Sequence, residues 1–228
     1  MTVVIMHVLT QFSPTYLLTF SGMGKGRTLA GFVIENLARG RNRHVWISVS
    51  SDLYEDAKRD LRDLGLGDYA DTHCYNLGKL PYGDLSASHP EGVMFATYST
   101  LISKNRQKQT RLDQLIDWCG GEDFDGLVMF DECHKAKTIE LDANGNPKIV
   151  GKGSEKREKS SQTAKNVVHL QQALPRARVV YCSATSVSHP KNLGFMSRLG
   201  LWGPGTEHPS GFNQFLDGLK RLGTGAME

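Results

Sequence analysis

The stretch SGMGKGRTLAG at residues 21–31 constrains this chain more than any other. Gly22, Gly24 and Lys25 follow the order needed by a turn whose backbone closes around phosphate. Glycine permits close approach of the backbone, and the lysine supplies a point charge. A helix starting at the lysine would aim its unpaired N–H groups and positive end at the same anion. Two features break the pattern. Gly26 stands directly after the lysine, where such loops carry a hydroxyl, and Thr19 and Phe20 stand upstream where small residues are the norm. Taken alone, GxGK fits a tight strand-to-helix turn with an exposed lysine equally well.

Apolar, β-rich runs alternate with segments of helical period. Strands are expected at 16–20 (YLLTF), 44–50 (HVWISVS), 92–99 (GVMFATYS), 126–133 (GLVMFDEC) and 178–185 (RVVYCSAT). Helices are expected over 27–39, with Leu29, Val33 and Leu37 at four-residue spacing, and around 108–119 and 161–174. Another should follow Asp52, read as its N-cap with Glu55 as capping-box partner and Leu53, Ala57, Leu61 and Leu64 as its buried stripe. Such alternation implies an α/β fold, a doubly wound, mainly parallel sheet with helices on both faces. Residues 138–160, rich in Gly, Asn, Lys and Glu, read as a mobile surface insertion.

Two further strand ends carry chemistry. LVMF delivers Asp131 and Glu132 at its carboxyl end, where ligands bind in doubly wound sheets, and His134 and Lys135 follow at once. Asp131 suits a magnesium ion, directly or through water, and Glu132 suits the orientation and deprotonation of an attacking water. Ser183 and Thr185 flank Ala184 at the end of the last strand and can bond those acids or the histidine. A glycine loop, an acidic strand end and a hydroxyl triplet, in that order, point to a P-loop nucleoside triphosphatase.

Composition excludes other classes. Cys74, Cys119, Cys133 and Cys182 lie far apart, with no C-x-x-C pair, which argues against a disulfide framework or a structural zinc site. Residues 1–20 lack a basic n-region and are interrupted by His7, Gln11 and Pro14, unlike a signal peptide. No run reaches the length of a membrane span. A soluble protein of a reducing, intracellular compartment is expected. The net charge of +3 is too small to identify an anionic partner. A small-molecule kinase would need an arginine-rich lid, and none is present.

The blocks GMGKGRTLAG, ISVSSDLYEDAKRDLRDLG, FATYSTLI, WCGGEDFDGLVMFDECHKAK, LPRARVVYCSAT and RLGLWGPGT resemble the Strawberry notch family of helicase-like nuclear transcriptional regulators. They are similar to the first RecA-like domain of superfamily 2 helicases, with DECH as a DExH box. In that family GKGR replaces the usual GK[ST], so Gly26 looks like a family trait. The resemblance implies an ATP site formed by Gly22, Met23, Gly24, Lys25, Gly26, Arg27 and Thr28, with Mg²⁺ held at Asp131. It makes Lys25, Asp131, Glu132 and His134 the catalytic set, and Ser183, Ala184 and Thr185 the coupling element.

By the same resemblance, Ser50, Ser51, Thr97 and Tyr98 fall where such helicases touch a nucleic-acid backbone, although hydroxyls at strand ends also serve as helix caps. Thr28, about 200° around the helix from Gly26, cannot replace the missing hydroxyl, so water must fill the gap. Nucleic acid, chromatin or transcription proteins and a second RecA-like domain are the implied partners, and the nucleus the implied location. Residues 1–20 depart from the family pattern, and the second domain is expected outside this chain. The alternative is a catalytically weak scaffold that retains the ATP-binding fold.

Overall fold

Alternation of buried side chains sets the architecture. Successive strand residues point to opposite faces, and here both faces are apolar. Met94, Ala96, Val128, Phe130, Val179 and Tyr181 pack on one side. Val93, Phe95, Leu127, Met129, Val180 and Cys182 pack on the other. A sheet apolar on both faces must be covered twice, which requires helices on each side.

A computed structural model describes residues 3–7, 24–136, 139, 141–142, 161–183 and 189–222. The strands are β1 (Val3–His7), β2 (Arg43–Ser48), β3 (Cys74–Asn76), β4 (Gly92–Thr97), β5 (Leu127–Phe130) and β6 (Arg178–Ser183). Their order in the sheet is β1-β6-β5-β2-β4-β3. Strands β2 to β6 are mutually parallel, while β1 pairs antiparallel with β6, Val3 opposite Ser183. The helices are α1 (Lys25–Ala38), α2 (Leu53–Asp63), α3 (Gly67–Thr72), α4 (Tyr98–Ile102), α5 (Arg111–Cys119), α6 (Gln162–Ala173) and α7 (Phe212–Leu222). Leu29 and Val33 of α1 and Ala57 and Leu61 of α2 cover one face. Leu112, Leu115 and Trp118 of α5, Val167 and Val168 of α6 and Phe212 and Phe215 of α7 cover the other.

The α/β class and the mainly parallel sheet covered on both faces stand as expected; several boundaries do not. Helix α1 starts at Lys25. Asp52 has helical dihedrals and makes no side-chain cap, so the expected capping box is absent. Instead Ser50 Oγ accepts from Asp52 N at 3.3 Å. Leu64 lies beyond the end of α2 and is 40% exposed, outside the buried stripe.

Strand β4 ends at Thr97, whose side chain caps α4 by accepting from Thr100 N at 3.0 Å. Strand β5 ends at Phe130, so both acids lie in the turn after it. Strand β6 ends at Ser183. The edge strand β1 falls outside the strands expected from sequence, because five residues of an antiparallel edge carry no helix or loop punctuation to mark them. The expected strand at 16–20 lies outside the described residues. So does the 138–160 segment apart from Ile139, Leu141 and Asp142; Ile139 and Leu141 are buried in the core, which corrects the reading of these two as surface positions. All four cysteines are buried and free.

Candidate nucleotide site

Adjacency of β6, β5, β2 and β4 places Ser183, Asp131, Ser48 and Thr97 at neighbouring carboxyl ends of one sheet. Asp131 continues the β5–β2 pairing through its N–H, which donates to Ile47 O at 2.8 Å. Its carboxylate is held on both oxygens. Ser48 Oγ donates to Oδ2 at 2.8 Å, and the Glu132 N–H donates to Oδ1 at 2.9 Å. Tyr98, buried beneath, donates its hydroxyl to Asp131 O at 2.9 Å. The strand end is therefore immobilised from three directions.

Glu132 has φ 48, a left-handed conformation that non-glycine residues seldom adopt. It costs roughly 1–2 kcal/mol, and such residues concentrate at functional sites. At Glu132 this conformation goes with a carboxylate facing α1: Lys25 Nζ donates to Glu132 Oε1 and lies 3.8 Å from Asp131 Oδ1. His134 Nδ1 lies 3.3 Å from Glu132 Oε2 and 3.0 Å from Ser183 Oγ, linking the tips of β5 and β6. Lys25, Asp131, Glu132, His134 and Ser183 thus converge, as the sequence suggested.

Electrostatics follow from burial. The Asp131 carboxyl is raised above its ordinary range by burial, which outweighs the Ser48 hydrogen bond and the Lys25 charge that favour its ionised form. Burial works against the Lys25 ammonium, but the Glu132 hydrogen bond and the two carboxylate charges outweigh it, so its pKa is raised. The lysine is a fixed cation.

At the start of α1, Gly24 has φ 75, a turn glycine accommodates without strain. Thr28 Oγ1 donates to Gly24 O at 3.3 Å, one turn back along the chain. Arg27 pairs with Asp63 of α2 at 2.7 Å on the surface. Gly22, Met23, Ala184 and Thr185 lie outside the described residues. The expected nucleic-acid contacts divide: Ser50 and Ser51 are at the surface loop after β2, whereas Thr97 and Tyr98 are buried and engaged within the fold as a helix cap and a support for Asp131. Their side chains are turned inward, which corrects the reading of them as contact groups.

Two residues of the site, and the role of a third, escaped sequence reasoning. Ser48 is the last residue of an apolar strand, where only its position beside Asp131, just past the end of β5, would have marked it. Tyr98 reads as a nucleic-acid contact, and nothing in the sequence marks its hydroxyl as a partner of Asp131 O. Asp60 lies in α2, inside a family block that gives it no role, yet a Cβ placed on Gly26 would fall 2.7 Å from Asp60 Cγ and closer still to Oδ2. Among the described residues, no group of three or more His, Cys, Asp and Glu side chains could hold a metal by itself. No described helix is long and apolar enough to cross a membrane.

A parallel sheet with a glycine–lysine turn opening α1 and acids at the next strand ends defines a P-loop nucleotide-binding domain. The chain matches the family described as "P-loop containing NTP hydrolase pore-1" over residues 16–228. It is 46% identical over 214 residues to Protein FORGETTER 1 of Arabidopsis thaliana, covering 91% of this chain and 15% of that protein. It is 47% identical over 215 residues to Protein strawberry notch homolog 1 of Gallus gallus, covering 91% and 16%. With Protein strawberry notch of Drosophila melanogaster it shares 45% over 216 residues, covering 91% and 12%. The chain belongs to the Strawberry notch family and carries its helicase-like P-loop domain. It spans less than a fifth of the length of these relatives.

Proposed function

We propose that this chain is the ATP-binding half of a DExH-type, nucleic-acid-dependent ATPase that acts with Mg²⁺ and a second RecA-like domain in nuclear regulation of transcription. Convergence of Lys25, Asp131 and Glu132 on one point at the start of α1 supports the nucleotide part of this reading most directly. The resemblance supports the nucleic-acid, chromatin and nuclear parts.

Lys25 Nζ exchanges its carboxylate partner for the β and γ phosphates. Asp131 fits a small hard cation, being an oxygen donor held in one orientation by Ser48 and the Glu132 N–H. Magnesium there would neutralise phosphate charge. Glu132 Oε orients the attacking water and takes its proton. His134, bonded to Ser183, reports a change at Glu132 to the tip of β6.

The test is binding of a fluorescent ATP analogue to the chain and to its Lys25→Ala variant. Without the ammonium, the phosphates have no charge-assisted hydrogen bond from this position, and affinity falls by about 10- to 100-fold. Equal affinity in the two proteins, or no binding to either, would overturn the reading.

A further inference from the structure

Gly26 leaves the position after the lysine without an oxygen, yet the space is filled. Asp60, reaching across from α2, places its carboxylate where the side chain of residue 26 would stand. A Cβ there would lie 2.7 Å from Asp60 Cγ and 3.5 Å from Oδ1, with Oδ2 nearer still. A serine or threonine at position 26 is therefore excluded while Asp60 holds this position. The two residues form one complementary unit, a missing side chain on α1 and an intruding carboxylate from α2.

The Asp60 carboxylate is mostly buried, its side chain 14% exposed, and its nearest cation is Arg59 Nη2 at 3.6 Å on its own helix. Arg27, one residue beyond Gly26, is committed to Asp63 through two hydrogen bonds. A carboxylate this close to the start of α1 repels a phosphate bound there. A divalent cation between the two converts that repulsion into attraction, since carboxylates and phosphate oxygens are the ligands magnesium prefers. Hydroxyl or carboxylate, the requirement is an oxygen beside the first turn of the helix.

Resting on the nucleotide reading above, we propose that Asp60 supplies the metal-side oxygen of this site, directly or through a coordinated water, in place of the hydroxyl that Gly26 lacks. The ligand is a divalent cation accompanying a nucleoside triphosphate.

The experiment titrates Mn²⁺, followed by the paramagnetic resonance of the free ion, into the chain saturated with a non-hydrolysable ATP analogue. Asp60→Asn keeps the shape and removes the charge. It is expected to weaken Mn²⁺ binding by about 10-fold, while metal-free binding of the analogue in EDTA is unchanged or tighter. Gly26→Ser alone should lower the melting temperature through its clash with Asp60. The double variant Gly26→Ser with Asp60→Ala relieves the clash, returns an oxygen to α1, and should recover both melting temperature and Mn²⁺ affinity. Unchanged Mn²⁺ affinity in a folded Asp60→Asn, or a double variant that recovers stability without metal affinity, would overturn the role of Asp60 and leave nucleotide binding standing. Failure of the unaltered chain to bind the analogue with or without metal would overturn both.

Discussion

Glu132→Gln is expected to move binding and chemistry in opposite directions. The Lys25 ammonium is held by the Glu132 carboxylate. A neutral glutamine releases it, so ATP no longer competes with an internal anion for the lysine and binds more tightly. On the proposed reading the same change removes the base that takes a proton from water, so single-turnover hydrolysis by a protein carrying both RecA-like domains falls by roughly 10²- to 10⁴-fold. A residue that merely stabilised the fold would lower both quantities together. The measurement is a pair: the dissociation constant of ATP in Mg²⁺, and the rate of phosphate release with protein in excess. Hydrolysis at the unaltered rate, or weaker binding, would remove Glu132 from the role assigned to it.

His44 is the second large effect. It is wholly buried on β2, and neither ring nitrogen meets a partner at hydrogen-bonding distance and angle among the described residues. Burial lowers its pKa to about 4 from 6.5; the Arg41 backbone opposes this and the Arg41 charge adds to it. Between those values the unfolded chain binds a proton that the folded chain refuses, so stability falls as pH drops from 6.5 towards 4. The loss attributable to His44 is about 3 kcal/mol across that window. Urea unfolding at about pH 7 and about pH 4.5 should show a difference in the unaltered chain that is much reduced in His44→Leu. Equal pH dependence in both proteins would show that other groups govern acid unfolding.

Much of the fold was legible because its signals are local. LVMF before DECH is apolar at every position, and only a strand buried on both faces needs that. Helix α6 carries its own start signal, Ser161, whose side chain accepts from Ala164 N at 3.1 Å. The failures were equally physical. Asp52 and Glu55 satisfy a capping pattern on paper, but the turn begins earlier, at Ser50, and the helix enters with Asp52 already helical. Leu64 continues the α2 period by spacing, yet the helix has ended at Asp63 and the leucine faces solvent. Periodicity says which residues share a face, not where a helix stops.

The candidate site divides the same way. Lys25, Asp131, Glu132, His134 and Ser183 were recognisable because each stands beside a punctuation mark of its own, a glycine turn or the end of an apolar strand. Ser48 and Tyr98 also stand at strand ends, but with no charge or glycine to single them out, and Asp60 lies within a helix. Their meaning comes from strand order and helix packing, which bring residues 83, 33 and 34 positions apart in the chain into one place. The order of apolar runs and turns was enough to determine a P-loop domain, its glycine–lysine turn and its acidic strand end, because backbone geometry and hydrophobic period act over a few residues. Only the tertiary structure decided that the position emptied by Gly26 is taken by a carboxylate from α2. Which side chain fills a space depends on the packing of two helices against one sheet, and no local pattern encodes that.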